Sequence, residues 1–242
     1  ITLTGGITIL APRMGASGWK KQAEGKPWIT RVKILDESER PKEILREVIG
    51  QLNMRGKGVA IEERAWAHTV LLFRQVMPYS KLSNASEIIE PMRMIKDSDE
   101  IEVMKKAGEI TDRVYGKVVD GLERGQSEID VANAIDYEFR KQGADYNSFV
   151  TGVRFRSPNH PWILGESPDK PRLLEDGDTI SFDFGCVYDG YCSDFGRTVY
   201  VGEPPAKVQE IHDLVMTAQG TAIEQMKEGE LTCEQLDSVA RG

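Results

Sequence analysis

The sequence predicts a mixed α/β (α+β) fold in two domains, over residues 1–92 and 93–242. Three observations carry that expectation. Residues 1–92 alternate short apolar runs with amphipathic helical stretches, the pattern of a small α/β unit. Residues from about 97 to 143 hold two helices with apolar side chains every three or four positions. Asp178–Gly202, DTISFDFGCVYDGYCSDFGRTVYVG, is two β-rich segments about an Asp-Gly turn signal.

In the first domain, Gly6–Ala11, Trp28–Leu35 and Gly58–Ile61 are the strand candidates. Pro41–Leu52 sets Ile44, Leu45, Val48, Ile49 and Leu52 at helical spacing. Arg64–Met77 is a further helix candidate, stopped by Pro78. Ser86–Lys96, interrupted by Pro91, is the expected boundary. Asp97 and Glu100 then form a capping-box start. Ile101, Met104, Ala107, Ile110, Val114, Val118 and Leu122 line one helical face, which Gly125 ends. Ser127 caps the next helix, with Ile129, Val131, Ala132, Ile135 and Phe139, ending near Gly143. Ser148–Val153 is strand-like.

Composition sets limits. The chain has 242 residues, 40% apolar and 29% charged, as in an ordinary globular protein. A net charge of −8 argues against nucleic acid as a partner. No apolar run reaches transmembrane length, so no membrane association is expected. Three cysteines make no disulfide framework; Cys186 and Cys192 fall on opposite faces of the hairpin, and a reduced, cytoplasmic protein is expected. The chain opens on Ile1 rather than Met, which leads us to expect sequence upstream.

The Asp178–Gly202 stretch carries the chemistry. A two-residue turn at Asp189-Gly190 would set Asp194 opposite Gly185 and Asp183 opposite Gly196. Both carboxylates would then share one face as diagonal neighbours, roughly 5 to 8 Å apart. A one-residue bulge would separate them. Two ionised carboxylates that close, among Ile180, Phe182, Phe184, Val199 and Tyr200, repel unless they are solvated, one is protonated, or a cation lies between them. Paired oxygen ligands suit divalent Mn, Co or Zn. The plainer alternative is a sheet edge with two surface acids.

The pattern around them is more specific. D-x-G, a G-Y turn and S-D-x-x-R-T, met at Asp183, Gly185, Gly190, Tyr191, Ser193, Asp194, Arg197 and Thr198, closely resembles the metal-binding hairpin of the pita-bread superfamily. That superfamily contains creatinase, prolidase, aminopeptidase P and methionine aminopeptidase. The resemblance implies a partial pita-bread catalytic domain over residues 93–242 and two divalent metal ions (Mn, Co or Zn), with Asp183 on one metal and Asp194 bridging both. It also implies a histidine and two glutamate ligands from a second half-sheet, beyond the end of this chain. His160, in Phe155–Pro161, resembles the family's histidine that contacts substrate or leaving group, where an imidazole donates a hydrogen bond or shuttles a proton. Asn159 and Pro161 bracket it more tightly than is usual in the prolidase branch, which leaves the substrate open. Arg197 falls on the other face from Asp194, as a structural residue or ion-pair member. His68 and His212 lie in helical segments without ligand clusters around them and are expected to be structural or exposed.

An internal repeat agrees with the two-halved plan of that fold. Shifted so that Met104 falls on Val208, the sequence also sets Ile110 on Leu214, Val118 on Ala222 and Gly125 on Gly229. Allowing one inserted residue, Ser127 falls on Thr232. The second helix pair, Pro205–Arg241, has no sheet after it, so the chain is expected to be cut at both ends. The opening ITLTG resembles a strand end in the N-terminal domain of the creatinase and aminopeptidase P branch, which implies a creatinase-type first domain.

The implied function is metal-dependent hydrolysis of peptide bonds, Xaa-Pro above all, by a hydroxide held between two metals. The implied partners are a peptide or small-molecule substrate and a second copy in a homodimer. This fragment alone is expected to be inactive. Two alternatives stand: a relative acting on a non-peptide small molecule, as a creatinase-like hydrolase or a metal-dependent lyase, and an inactive binding relative.

Overall fold

A computed structural model describes residues 5–158, 172–226 and 230–242. The chain divides into two compact units, Ile1–Ile95 and Lys96–Gly242.

The first unit holds β1 (Ile7–Pro12), α1 (Ala16–Ala23), β2 (Ile29–Leu35), α2 (Pro41–Gln51), β3 (Val59–Ile61), α3 (Ala67–Val76), β4 (Leu82–Asn84) and α4 (Ser86–Met94). β1 pairs in parallel with β2, and β3 in parallel with β4. α2 starts on Pro41, whose fixed φ and missing N–H suit a first turn, and it buries Ile44, Leu45, Val48 and Ile49. Leu45 and Ile49 pack with Val59 and Met77 in the unit's core. α1 and β4 have no counterpart in the sequence expectation, and two further elements differ from it. α3 begins at Ala67, after the extended Trp66, rather than at Arg64. Ser86–Met94, within the expected boundary stretch, is a helix with Pro91 inside it. Its start is fixed by Asn84, whose side-chain oxygen accepts the Ser86 N–H at 2.9 Å.

The second unit opens with α5 (Ser98–Asp120) and α6 (Glu128–Lys141). Asp97 accepts the N–H groups of Asp99 and Glu100, and Glu100 returns a bond to the Asp97 N–H, closing the expected capping box. α5 ends at Gly121, four residues before Gly125; the intervening turn is held by Gln126, which accepts the Glu123 N–H at 2.9 Å. Ser127 and Asp130 make a second capping box at the head of α6.

The strands follow as β5 (Tyr146–Asn147), β6 (Gly152–Arg156), β7 (Thr179–Phe184), β8 (Cys186–Tyr188), β9 (Tyr191–Cys192) and β10 (Phe195–Tyr200). β10, β7 and β6 form one antiparallel sheet in that order, and β5, β8 and β9 another. Of Ser148–Val153, expected as one strand, only Gly152 and Val153 are strand, at the start of β6, and Ser148–Thr151 is a bend. Asp136 of α6 imposes it by accepting hydrogen bonds from Asn147 and Thr151, one at each end of the bend. The core lies between the helix pair and the sheet. Ala107, Ile110, Val114 and Val118 of α5 and Val131, Ile135 and Phe139 of α6 cover Val153, Phe155, Ile180, Phe182, Phe184 and Phe195. The rings of Phe139, Phe182 and Phe195 all stand within 6.1 Å of Phe184, centroid to centroid.

α7 (Ala206–Gln225) and α8 (Cys233–Arg241) follow the sheet. Thr232 and Gln235 repeat the capping box that Ser127 and Asp130 form on α6. The repeat thus extends from sequence to local structure, although Gly229 lies outside the described residues. Ile211, Leu214, Val215 and Ile223 of α7 are exposed, whereas Ala107, Ile110 and Val114 of α5 are buried. No helix among the described residues is long and apolar enough to cross a membrane.

The two helices α5 and α6 are joined at their surface by Glu138. It accepts from Lys141 and Lys117, each at 3.0 Å, and these bonds pull its pKa from 4.5 down to about 2. A carboxylate depressed on folding stabilises the protein fully above its unfolded pKa. That contribution is expected to fade as pH falls from 4.5 through about 2. Carboxyl NMR titration should place Glu138 near the low value, and Lys141→Met should move it back upward. A Glu138 that titrates in the ordinary glutamate range would mean the two lysines leave it to solvent.

Candidate metal centre

The hairpin has the two-residue turn its sequence requires. Asp189 and Gly190 have φ of 47° and 82°, the left-handed pair of a type I′ turn. From there Tyr188 pairs with Tyr191 and Val187 with Cys192, and beyond the interruption at Gly185, Ser193 and Asp194 the same register resumes with Phe184 against Phe195 and Asp183 against Gly196. Asp194, between β9 and β10, is thereby opposite Gly185. Asp183 and Asp194 are both exposed and alternate with the buried Phe182, Phe184 and Phe195, so they belong to the face turned away from α5 and α6. Cys186 is buried and Cys192 exposed, on opposite faces as expected.

Asp183 stands in a clearing. Its neighbours across the strands are Gly152 on β6 and Gly196 on β10. A Cβ at residue 152 would lie 3.3 Å from the Asp183 Cβ. Among the described residues, glycine as the cross-strand partner on both sides sets no side chain directly beside the carboxylate. Sequence reading had paired Gly196 with Asp183. It had missed Gly152, whose only signal was a glycine within a strand-like run.

The hairpin is tied down from several directions. The Tyr191 hydroxyl donates to Glu100 at 2.6 Å, and the Asp189 N–H to Asp145 at 2.8 Å. At the base of β7, buried Asp178 accepts from Arg172 and, at 2.9 Å, from the Glu175 N–H. Arg197 lies on the other face from Asp194, its guanidinium 4.2 Å from the Phe195 ring centroid. It makes a cation–π contact there. His160 lies outside the described residues. His212 is an exposed helical residue beside Asp213.

The donor chemistry fits divalent cations as part of a larger set. Asp183 and Asp194 offer hard oxygen ligands and are both exposed. No group of three or more His, Cys, Asp or Glu suited to hold a metal occurs among the described residues.

Comparison with known proteins agrees with the hairpin. The sequence model of metallopeptidase family M24 matches residues 102–242. The chain belongs to metallopeptidase family M24. Among curated M24-type relatives, an uncharacterised peptidase, YqhT, of Bacillus subtilis is 34% identical over 190 residues, 76% of this chain and 52% of that protein. The Xaa-Pro dipeptidase of Pyrococcus furiosus is 32% identical over 169 residues, 70% of this chain and 47% of that protein. Among solved structures, the prolidase from Thermococcus sibiricus superposes with a TM-score of 0.83 at 32% identity, over 97% of this chain and 62% of that one. The X-Pro aminopeptidase from Thermotoga maritima gives 0.78 at 29%, over 97% and 63%. The chain spans about half the length of the curated relatives it matches. Its fold is that of the pita-bread M24 enzymes, close to the prolidase and aminopeptidase P branch.

Proposed function

We propose that this M24 chain serves metal-dependent hydrolysis of peptide bonds, with Xaa-Pro bonds as the substrate. The observation that carries the reading is the Asp183/Asp194 pair on one open face, with Asp183 between Gly152 and Gly196. Asp183 would hold one divalent cation and Asp194 would span two, Mn, Co or Zn. Bound there, the cations would supply Lewis acidity and a water activated at neutral pH. The residues of the chain do the rest. The two carboxylates fix the cations against the sheet, and the glycines keep the approach to Asp183 clear for a substrate carbonyl. His160, by its resemblance, donates a hydrogen bond to the oxyanion that forms on that carbonyl. The substrate class rests on kinship to Xaa-Pro dipeptidases and prolidases. A cytoplasmic homodimer is part of the same proposal.

The test is Mn²⁺- or Co²⁺-dependent cleavage of Xaa-Pro dipeptides by the full-length protein. His160→Ala is expected to lower kcat by about 10²-fold or more, the usual scale for a lost acid–base group, while metal content is retained. Asp194→Asn is expected to lose both activity and metal. The 242-residue chain alone is expected to cleave nothing, because the two carboxylates, with no third ligand grouped beside them among the described residues, hold divalent metal weakly. Turnover that survives Asp194→Asn would place the chemistry elsewhere.

A further inference from the structure

Ser193 precedes Asp194 and is held on every side. Its N–H donates to the Cys186 carbonyl at 2.8 Å, and its carbonyl accepts from the Ser148 hydroxyl at 2.9 Å. Its hydroxyl lies 2.7 Å from that of Thr111 and accepts the Cys186 N–H at 2.9 Å. Thr111 is fully buried on α5 and donates to the Ala107 carbonyl at 2.9 Å. One assignment satisfies every group: Cys186 N–H to Ser193 Oγ, Ser193 O–H to Thr111 Oγ1, and Thr111 O–H to Ala107 O. This chain of bonds crosses the core from helix to hairpin, directly behind Asp194.

The site of the bond matters. β7 and β8 are broken at Gly185, and β9 and β10 at Ser193 and Asp194, so the hairpin bends there from one sheet into the other. Asp194 therefore lies outside the regular ladder that orients Asp183. A residue at a bend takes its direction from whatever pins its neighbours, and here the Ser193 hydroxyl on Thr111 adds a side-chain anchor to the backbone bonds with Cys186 and Ser148.

We propose that Ser193 and Thr111 are positioning residues that aim Asp194 to the Asp183 face for a divalent cation. This rests on the metal-site reading above. Neither side chain touches the cation. Both act through the backbone of Asp194, as outer partners orient ligands in metal sites generally.

The test uses the 242-residue chain and two readouts. Residual dipolar couplings of the Asp194 Cα–Hα bond report its direction without any metal. Mn²⁺-induced broadening of amide signals, followed by titration, reports affinity at the Asp183 and Asp194 strands. Ser193→Ala and Thr111→Val are expected to change the Asp194 couplings and leave those of Asp183 in place. They should weaken Mn²⁺ binding by about 10-fold, the low end for loss of an outer partner. Ser193→Thr, which keeps the hydroxyl, should retain the parental affinity. Val131→Ala, a cavity in the same core, should lower stability and leave Mn²⁺ affinity alone. Parental couplings at Asp194 in Ser193→Ala, or equal weakening by Val131→Ala, would overturn the positioning role. Broadening that survives Asp183→Asn with Asp194→Asn would instead overturn the metal-site reading, whatever the couplings show.

Discussion

Gly185→Ala is expected to lower the unfolding free energy by about 3 kcal/mol, the top of the usual range for overpacking. A Cβ at residue 185 would lie 2.1 Å from the Ser193 carbonyl oxygen and 2.4 Å from the Ser148 hydroxyl. The Ser148 side chain could turn aside. The Ser193 carbonyl could not, because it is backbone held by the Ser193 N–H to Cys186 carbonyl hydrogen bond. Relief requires moving the segment that bears Asp194 away from β7 and β8. Urea unfolding measures the cost as a lower midpoint with an unchanged slope. A parental midpoint would show that the bend has slack. The same displacement predicts weaker Mn²⁺ binding, so stability and affinity should fall together here, unlike in Val131→Ala.

Phe184→Ala is expected to cost about 3–5 kcal/mol, the range for truncating a buried aromatic. Phe184 is fully buried, with ring centroids of Phe195 at 5.1 Å, Phe139 at 5.7 Å and Phe182 at 6.1 Å. Its removal opens a cavity where α6 meets the sheet, and edge-on ring contacts are lost with it. Domains of ordinary stability hold only about 5–15 kcal/mol in total, so the variant should sit close to unfolding at physiological temperature. Thermal denaturation followed by circular dichroism checks this. A change of only about 0.5 kcal/mol, as for a surface site, would show that the core does not close on this ring. Asp183 and Gly185 flank Phe184 in sequence, so the residue that anchors β7 also holds the strand that presents the first carboxylate.

Much of this arrangement was legible in the chain. Asp189-Gly190 has few backbone options, and its turn sets the register of every residue back to Thr179 and Tyr200. The capping box at Asp97 and the cap at Ser127 were equally plain, because they join residues only three apart. Errors came where distant groups decide. Ser148–Val153 has strand composition, but Asp136 on a neighbouring helix bends it. Pro91 signalled a break, yet the helix continues through it, its first turn fixed by Asn84.

The sequence by itself determined the face that Asp183 and Asp194 share. Strand side chains alternate with a period of two, so once a local turn fixes the register, the face due to each residue follows from the sequence. Only the tertiary structure decided how Asp194 is held there and what surrounds Asp183. The bend at Ser193 depends on Thr111, 82 residues away, and the clearing beside Asp183 depends on Gly152 arriving from β6. Contacts of that separation form only when helix and sheet pack on a common core. No turn or periodicity near Asp194 encodes them.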